Sequence, residues 1–449
     1  MSHPEATTIS PTPQNKPRLA IVSTFNDQCG IAGYTRALLT QLHNAFEIEV
    51  FDLDQSLMRA TQGNLLTAAD AQIKSFCDAF AGFDAVNIQL EYGTLGSMPS
   101  DISRRFKALV DAAPALSVTF HTILPNQEFP KDKFREQFFR VQIWNCYATT
   151  SRYLAAKRFR KQIYDTLLLA QTRKPVSIIV HTPRDAKAMR IAEGFKTVYD
   201  HPLAFLTPEK IAALTALDGP NALASLPGRQ RERVVVGVFG FLSSYKGIQT
   251  VIRSLRHLPD NFELAIFGGL HPGEIRPSEH GGPAETHPYL QSLLEEAKID
   301  ETIAQAVAGD GKTPKPATSL QEFVKSPQNL RDRVHFMGVL DDDRLAAAMG
   351  AVDVVVLPYF ETGQASSGPM SIATEMGARV IASRIQAFMQ FEKYKPGRVT
   401  FFDAGNYLEL AQRIESVART PKQDYADTYN TGSNRETYIA AHQNLVSNA

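Results

Sequence analysis

Four short stretches hold residue types that could bind an anion or let a ligand approach the backbone. The first is Ser366-Ser367-Gly368-Pro369, lying between the apolar run Val354-Val355-Val356-Leu357 and a helical segment that carries Glu375. A helix beginning there, with Pro369 in its first turn, aims unpaired N–H groups and the positive end of its dipole at whatever occupies the loop, which is an anion site. The second runs from Gly240 to Gly247 and sets Lys246 beside a glycine at another strand-like end. The third is Asp27 to Gly33, where Gly30 and Gly33 let a ligand approach the backbone. The fourth is a pair of run ends, Gln89-Leu90-Glu91-Tyr92-Gly93 and His121-Thr122. Each has a plain structural alternative: a tight turn for the glycines, a βαβ crossover for the serine loop, a packing role for the histidine. Their shared position favours a site, since all lie where a parallel strand would meet its C-terminal loop.

The elements that must position these residues follow from periodicity. Short apolar runs near residues 18, 47, 85, 117, 176 and 198 alternate with amphipathic helical stretches, and this predicts a doubly wound parallel sheet. The stretch 218–233, DGPNALASLPGRQRER, has glycine, proline and charge without an apolar face and reads as a linker. Beyond it the plan repeats, with runs near 234, 263, 333, 354 and 380. The expected organisation is a disordered tail over 1–17, one Rossmann-like domain over 18–225, a second over 226–400, and C-terminal helices over 401–449 packing back on the first. A polar insertion over 273–329 has no assigned conformation. Asp341-Asp342-Asp343 reads as a helix cap region rather than a metal motif.

Composition narrows the function classes. The chain of 449 residues has 47 Lys and Arg against 47 Asp and Glu, so no global field selects nucleic acid. Three separated cysteines, Cys29, Cys77 and Cys146, suggest neither a disulfide framework nor zinc, and a reducing, cytoplasmic setting is expected. Residues 131–161 are rich in Lys and Arg. They read either as a solvated helical face or as a surface for peripheral contact with anionic lipid at the inner face of a membrane.

Taken in order, CGIAGYTRALL at Cys29, IQLEYGTLG at Ile88, FHT at Phe120, GFLSSYKG at Gly240 and SSGPMSIATEMGARVIAS at Ser366 resemble the family 4 retaining glycosyltransferases. The resemblance implies the GT-B architecture, α/β with two Rossmann-like domains facing a cleft. It implies that Lys246, His121 and Glu375 are the catalytic set: Lys246 against the donor pyrophosphate, Glu375 on the ribose hydroxyls, His121 near the donor sugar. Gly240, Ser366, Ser367, Gly368 and Pro369 would line the diphosphate, and Gly338 would read the nucleobase by its backbone. Asp27, Gly30, Gly33 and Glu91 would face the acceptor. Two departures stand out: Ser367 replaces the first glutamate of the family's paired motif, and Phe241 replaces the arginine of its lysine loop.

What the resemblance implies is transfer of a sugar from a nucleoside-diphosphate sugar to a hydroxyl of a glycan, lipid-linked or protein acceptor, with retention and without a metal or other cofactor. Two alternatives use the same fold: a nucleotide-sugar epimerase, and a degenerate sugar-nucleotide-binding protein motivated by Ser367 and Phe241.

Overall fold

A computed structural model describes residues 16–27, 29–126, 128–216, 233–270, 288–297, 330, 332–361, 366–420 and 431–447. Most of the expected linker, of the 1–17 tail and of the 273–329 insertion lies outside the described residues. By contacts the chain divides into two compact units, one of 1–180, 186–199 and 435–449, the other of 181–185 and 200–434.

The first unit is built on six strands, β1 (Arg18–Ser23), β2 (Glu47–Asp52), β3 (Ala85–Leu90), β4 (Leu116–Phe120), β5 (Val176–Val180) and β6 (Val198–Asp200), in the order β2-β1-β3-β4-β5-β6. The central strands are buried on both faces because helices cover both, as a parallel sheet requires. Register is continuous from Leu19↔Ala85 and Val86↔Leu116 to Leu116↔Val176, which aligns the C-terminal ends of β1, β3 and β4 along one edge.

The second unit repeats the plan with β7 (Val234–Phe239), β8 (Phe262–Phe267), β9 (Val334–Gly338), β10 (Val354–Leu357), β11 (Val380–Ser383) and β12 (Val399–Phe402), ordered β12-β11-β10-β7-β8-β9 and parallel throughout. One core lies on each face of this sheet, around Phe239, Tyr359 and Phe388 on one side and Ile252, Leu264 and Ile414 on the other.

Two segments pack differently from the expected boundaries. Residues 200–216 belong to the second unit, because Leu206 and Leu214 bury against Ala346, with Phe205 and Ile372 alongside. The helix Tyr407–Arg419 also belongs there, through Leu410, Ala411 and Ile414. Of the last helix, Thr431–Ser447, all but the first four residues join the first unit, where Tyr438 and His442 are buried. A lack of apolar periodicity shows where a chain is unsupported, but which unit claims the flanking segments depends on partners distant in sequence.

Candidate active site

In the second unit the donor-side residues gather at the strand ends. β7 closes at Gly240, whose φ of +113° is open to glycine. A short 3-10 turn, Ser244–Lys246, follows, and Gly247 at φ +63° starts the helix Ile248–Leu255. A Cβ on Gly247 would stand 2.1 Å from the Pro358 carbonyl oxygen, so no other residue lets this loop lie against the end of β10. The turn folds Lys246 inward to 7% exposure. Its Nζ donates to Tyr359 Oη at 2.5 Å and sits 3.8 Å from the centre of that ring. Among the described residues no carboxylate pairs with it. Burial pulls the lysine down to about 7. Tyr359 is pushed up by burial and then by Tyr245, while Ser367 opposes the rise. Lys246, Gly240, Tyr359 and Ser367 therefore form one group.

Ser367 is the N-cap residue of the helix Gly368–Glu375 and makes no side-chain capping bond, so the N-terminal N–H groups are not closed by their own cap. The Phe205 ring lies beside Gly368, where a Cβ would meet it at 3.3 Å. Gly338 ends β9 at φ +76° and accepts the Gly268 N–H at 2.8 Å. Gly268 in turn leaves no space above Gly240: a Cβ there would be 2.0 Å from the Gly240 carbonyl oxygen. The glycines Gly240, Gly268 and Gly338 thus bring three adjacent strand ends into contact. The register shift between Ile266 and Phe267 falls at the same place, where a bulge re-aims a strand end. Gly268 was not among the expected site residues, although Gly268-Gly269 after an apolar run is a visible signal.

Glu375 is buried on the same helix. Its carboxylate, 2% exposed, accepts the Phe205 N–H at 3.0 and 3.2 Å and the Leu206 N–H at 2.9 Å. It closes the second turn of its helix, and these bonds hold the 205–206 backbone. Asp341 is the helix cap its position predicts, accepting from Arg344 N at 2.8 Å.

The first unit assembles a second group. Cys29 caps the helix Gly30–Leu42, and its Sγ meets the Ala32 N–H at 3.5 Å and Thr24 Oγ1 at 3.2 Å. Nothing lies within 4 Å of a Cβ built on Gly30, which leaves the helix start open to a ligand. Gly33 lies in the first turn, its N–H on the Cys29 carbonyl at 3.1 Å. The loop bearing Asp27 is held by Asp52, which accepts from Phe25 N at 2.7 Å and from Asn26 Nδ2 at 2.7 Å. At the next two strand ends, Thr122 Oγ1 donates to Glu91 at 2.7 Å, and His121 Nε2 meets Gln89 Oε1 at 2.9 Å. Burial raises Glu91, with Thr122 and the Tyr92 N–H opposing. The Tyr34 ring from the first helix stands edge-on to His121 at 5.6 Å. Gly33, Glu91 and His121 therefore share one edge.

Beneath His121 runs a buried polar ladder that sequence reasoning missed. Gln89 bonds Asn87, Asn87 Nδ2 donates to Ser117 Oγ at 2.7 Å, and Ser117 meets His442 Nε2 at 2.7 Å. Thr119 meets Tyr438 Oη at 2.9 Å. Polar residues inside otherwise apolar strands were the available signal, but their partners come from the last helix.

Residues 289–420 match the family model described as Glycosyl transferases group 1. This part of the chain is similar to a glycosyltransferase domain. Among solved structures, sucrose-phosphate synthase from Thermosynechococcus elongatus superposes with a TM-score of 0.59 at 15% identity, covering 97% of this chain and 100% of that one. HepE from Anabaena, in complex with UDP and glucose, gives 0.54 at 15% identity over 96% and 100%. A UDP-forming α,α-trehalose-phosphate synthase from Burkholderia xenovorans gives 0.55 at 10% over 96% and 99%. No curated protein matches. The fold is that of the GT-B glycosyltransferases, and domain and fold together indicate a glycosyltransferase. The matched region begins after the Lys246 loop, so that loop rests on its own geometry.

Proposed function

We propose that the chain is a retaining, metal-independent glycosyltransferase that moves a sugar from a nucleoside-diphosphate sugar to a hydroxyl acceptor in polysaccharide or glycoconjugate synthesis, with residues 131–161 as a surface for peripheral membrane contact. The carrying observation is Lys246: a buried ammonium with no carboxylate partner among the described residues, beside stacked glycine strand ends and an uncapped helix start. A diphosphate supplies the missing negative charge. Lys246 and the helix N–H groups stabilise that charge as it grows on the leaving group, and the leaving phosphate takes the acceptor proton on the face it departs from. The HepE structure, which contains UDP, supports a uridine nucleotide as the first donor to try.

One observation favours a second reading. Ser367 stands where the family has its first carboxylate, and Glu375, at the second, accepts the Phe205 and Leu206 N–H groups, which favours a binding protein without turnover.

Thermal-shift screening of UDP-, GDP-, ADP- and dTDP-sugars against the wild type and Lys246→Ala tests both. One nucleotide class is expected to stabilise the wild type, and Lys246→Ala should lose that response together with at least about tenfold in turnover. A variant that turns over like the wild type sinks the assignment of the site. Saturable binding without turnover across acceptors selects the second reading.

A further inference from the structure

Phe138, Phe139, Val141, Ile143 and Trp144 fall within seven residues and all face solvent, with Tyr147 one turn further on. Trp144 is 85% exposed, Phe139 79% and Val141 77%. Every residue from 138 to 145 is exposed, which describes a projecting tip rather than a groove. Single exposed apolar side chains are ordinary; a contiguous cluster marks an interaction surface.

The tip is the corner between the helices Lys131–Phe139 and Ile143–Gln171. The Val141 N–H bonds the Phe138 carbonyl and the Gln142 N–H bonds the Gln137 carbonyl, both at 2.9 Å, the helix-ending pattern that normally takes glycine. Here valine occupies it at φ +56°. A β-branched residue in that region costs about 1–2 kcal/mol, and the exposed valine recovers little of this by burial. The corner is nonetheless braced: Thr149 Oγ1 donates to Gln137 Oε1 at 2.8 Å, and Phe134 stacks on Phe138 at 6.5 Å.

Charge identifies the occupant. Residues 131–161 contain nine Lys or Arg against only Asp132 and Glu136. Arg140 sits in the corner itself, and Arg158 and Lys161 are exposed further along the helix. Trp144, Tyr147, Leu154 and Arg158 recur at helical spacing, so one exposed stripe runs from aromatic to basic over roughly 21 Å. Aromatic side chains at an interface with cations against phosphate headgroups is the pattern of a bilayer surface.

We propose that this corner inserts into the surface of an anionic lipid bilayer, Phe138, Phe139, Ile143 and Trp144 entering the interface and Arg140, Arg158 and Lys161 meeting the headgroups. The inference rests on reading 131–161 as membrane-facing, and it stands apart from the transfer reaction. Among the described residues no helix is long and apolar enough to cross a membrane.

Trp144 is the chain's single tryptophan, which makes intrinsic fluorescence a direct reporter. The full chain is titrated with vesicles of phosphatidylcholine alone and of phosphatidylcholine mixed with phosphatidylglycerol, with sedimentation in parallel. Expected are a blue shift and co-sedimentation with the anionic vesicles, both weakened by salt. Phe139→Ser with Ile143→Ser, and separately Arg158→Gln with Lys161→Gln, should each weaken binding by about tenfold or more. No shift with either vesicle, or equal binding to both, overturns the proposal. A shift produced by protein concentration alone, with a dimer in sedimentation, assigns the tip to a second copy and also overturns it. The donor thermal shift measured on the same variants separates this outcome from any failure of the transferase reading.

Discussion

A buried lysine holds its proton weakly, and Lys246 does so for one reason, burial, which brings it to about 7 from the ordinary 10.5. Above pH 10.5 both folded and unfolded chains have it neutral; as pH falls towards 7 the unfolded chain gains a proton that the folded one resists, so this contribution to stability is lost over that window. A diphosphate favours the ammonium instead. Nucleotide binding above pH 7 should therefore take up a proton, and affinity should fall as pH rises. Calorimetry in two buffers of different ionisation heat reads this uptake; equal enthalpies in both would count against it, and Lys246→Met should remove the dependence. Glu375 makes the opposite case, a carboxylate whose partners are backbone N–H groups. Glu375→Gln should lower stability by about 1–3 kcal/mol in denaturant unfolding while changing nucleotide affinity less than about twofold.

At the scale of elements, the donor-side group depends on how closely strand ends approach. Gly268 is the tightest point, where an added methyl would meet the Gly240 carbonyl oxygen at 2.0 Å and where φ is +145°. Gly268→Ala should cost roughly 1–3 kcal/mol and weaken nucleotide binding as well, because the β7 and β8 ends must separate. A variant that loses stability but binds like the wild type would show that Gly268 serves the sheet alone. In the first unit, parallel pairing fixes the equivalent edge: β1, β3 and β4 follow one another in the sheet, so Gly30, Glu91 and His121 lie along one edge. Gln89, one residue short of the end of β3, reaches His121 and orients its ring from below.

Across the whole molecule, each unit buries a histidine that burial holds down to about 4, His442 in the first and His201 in the second. Below the ordinary 6.5 the unfolded chain protonates both while the folded chain does not, so the stability they confer is full above 6.5 and lost as pH falls to about 4. Each pKa unit corresponds to about 1.4 kcal/mol. The unfolding midpoint should drop across this window, and His442→Gln should flatten the drop; an unchanged slope would mean that water reaches His442. What the sequence by itself determined was local: apolar runs became β1 to β11, glycine turns followed them, and Asp341 capped its helix, because strand periodicity and capping are decided within a few residues. It also placed Gly30, Glu91 and His121 on one edge, since every strand of a parallel sheet points its C-terminal end the same way. Tertiary structure decided the rest. Which backbone N–H groups meet the Glu375 carboxylate, whether the helix Tyr407–Arg419 serves one unit or the other, and whether Trp144 is core or tip all depend on partners far along the chain. Periodicity names an apolar face, and only packing says what covers it.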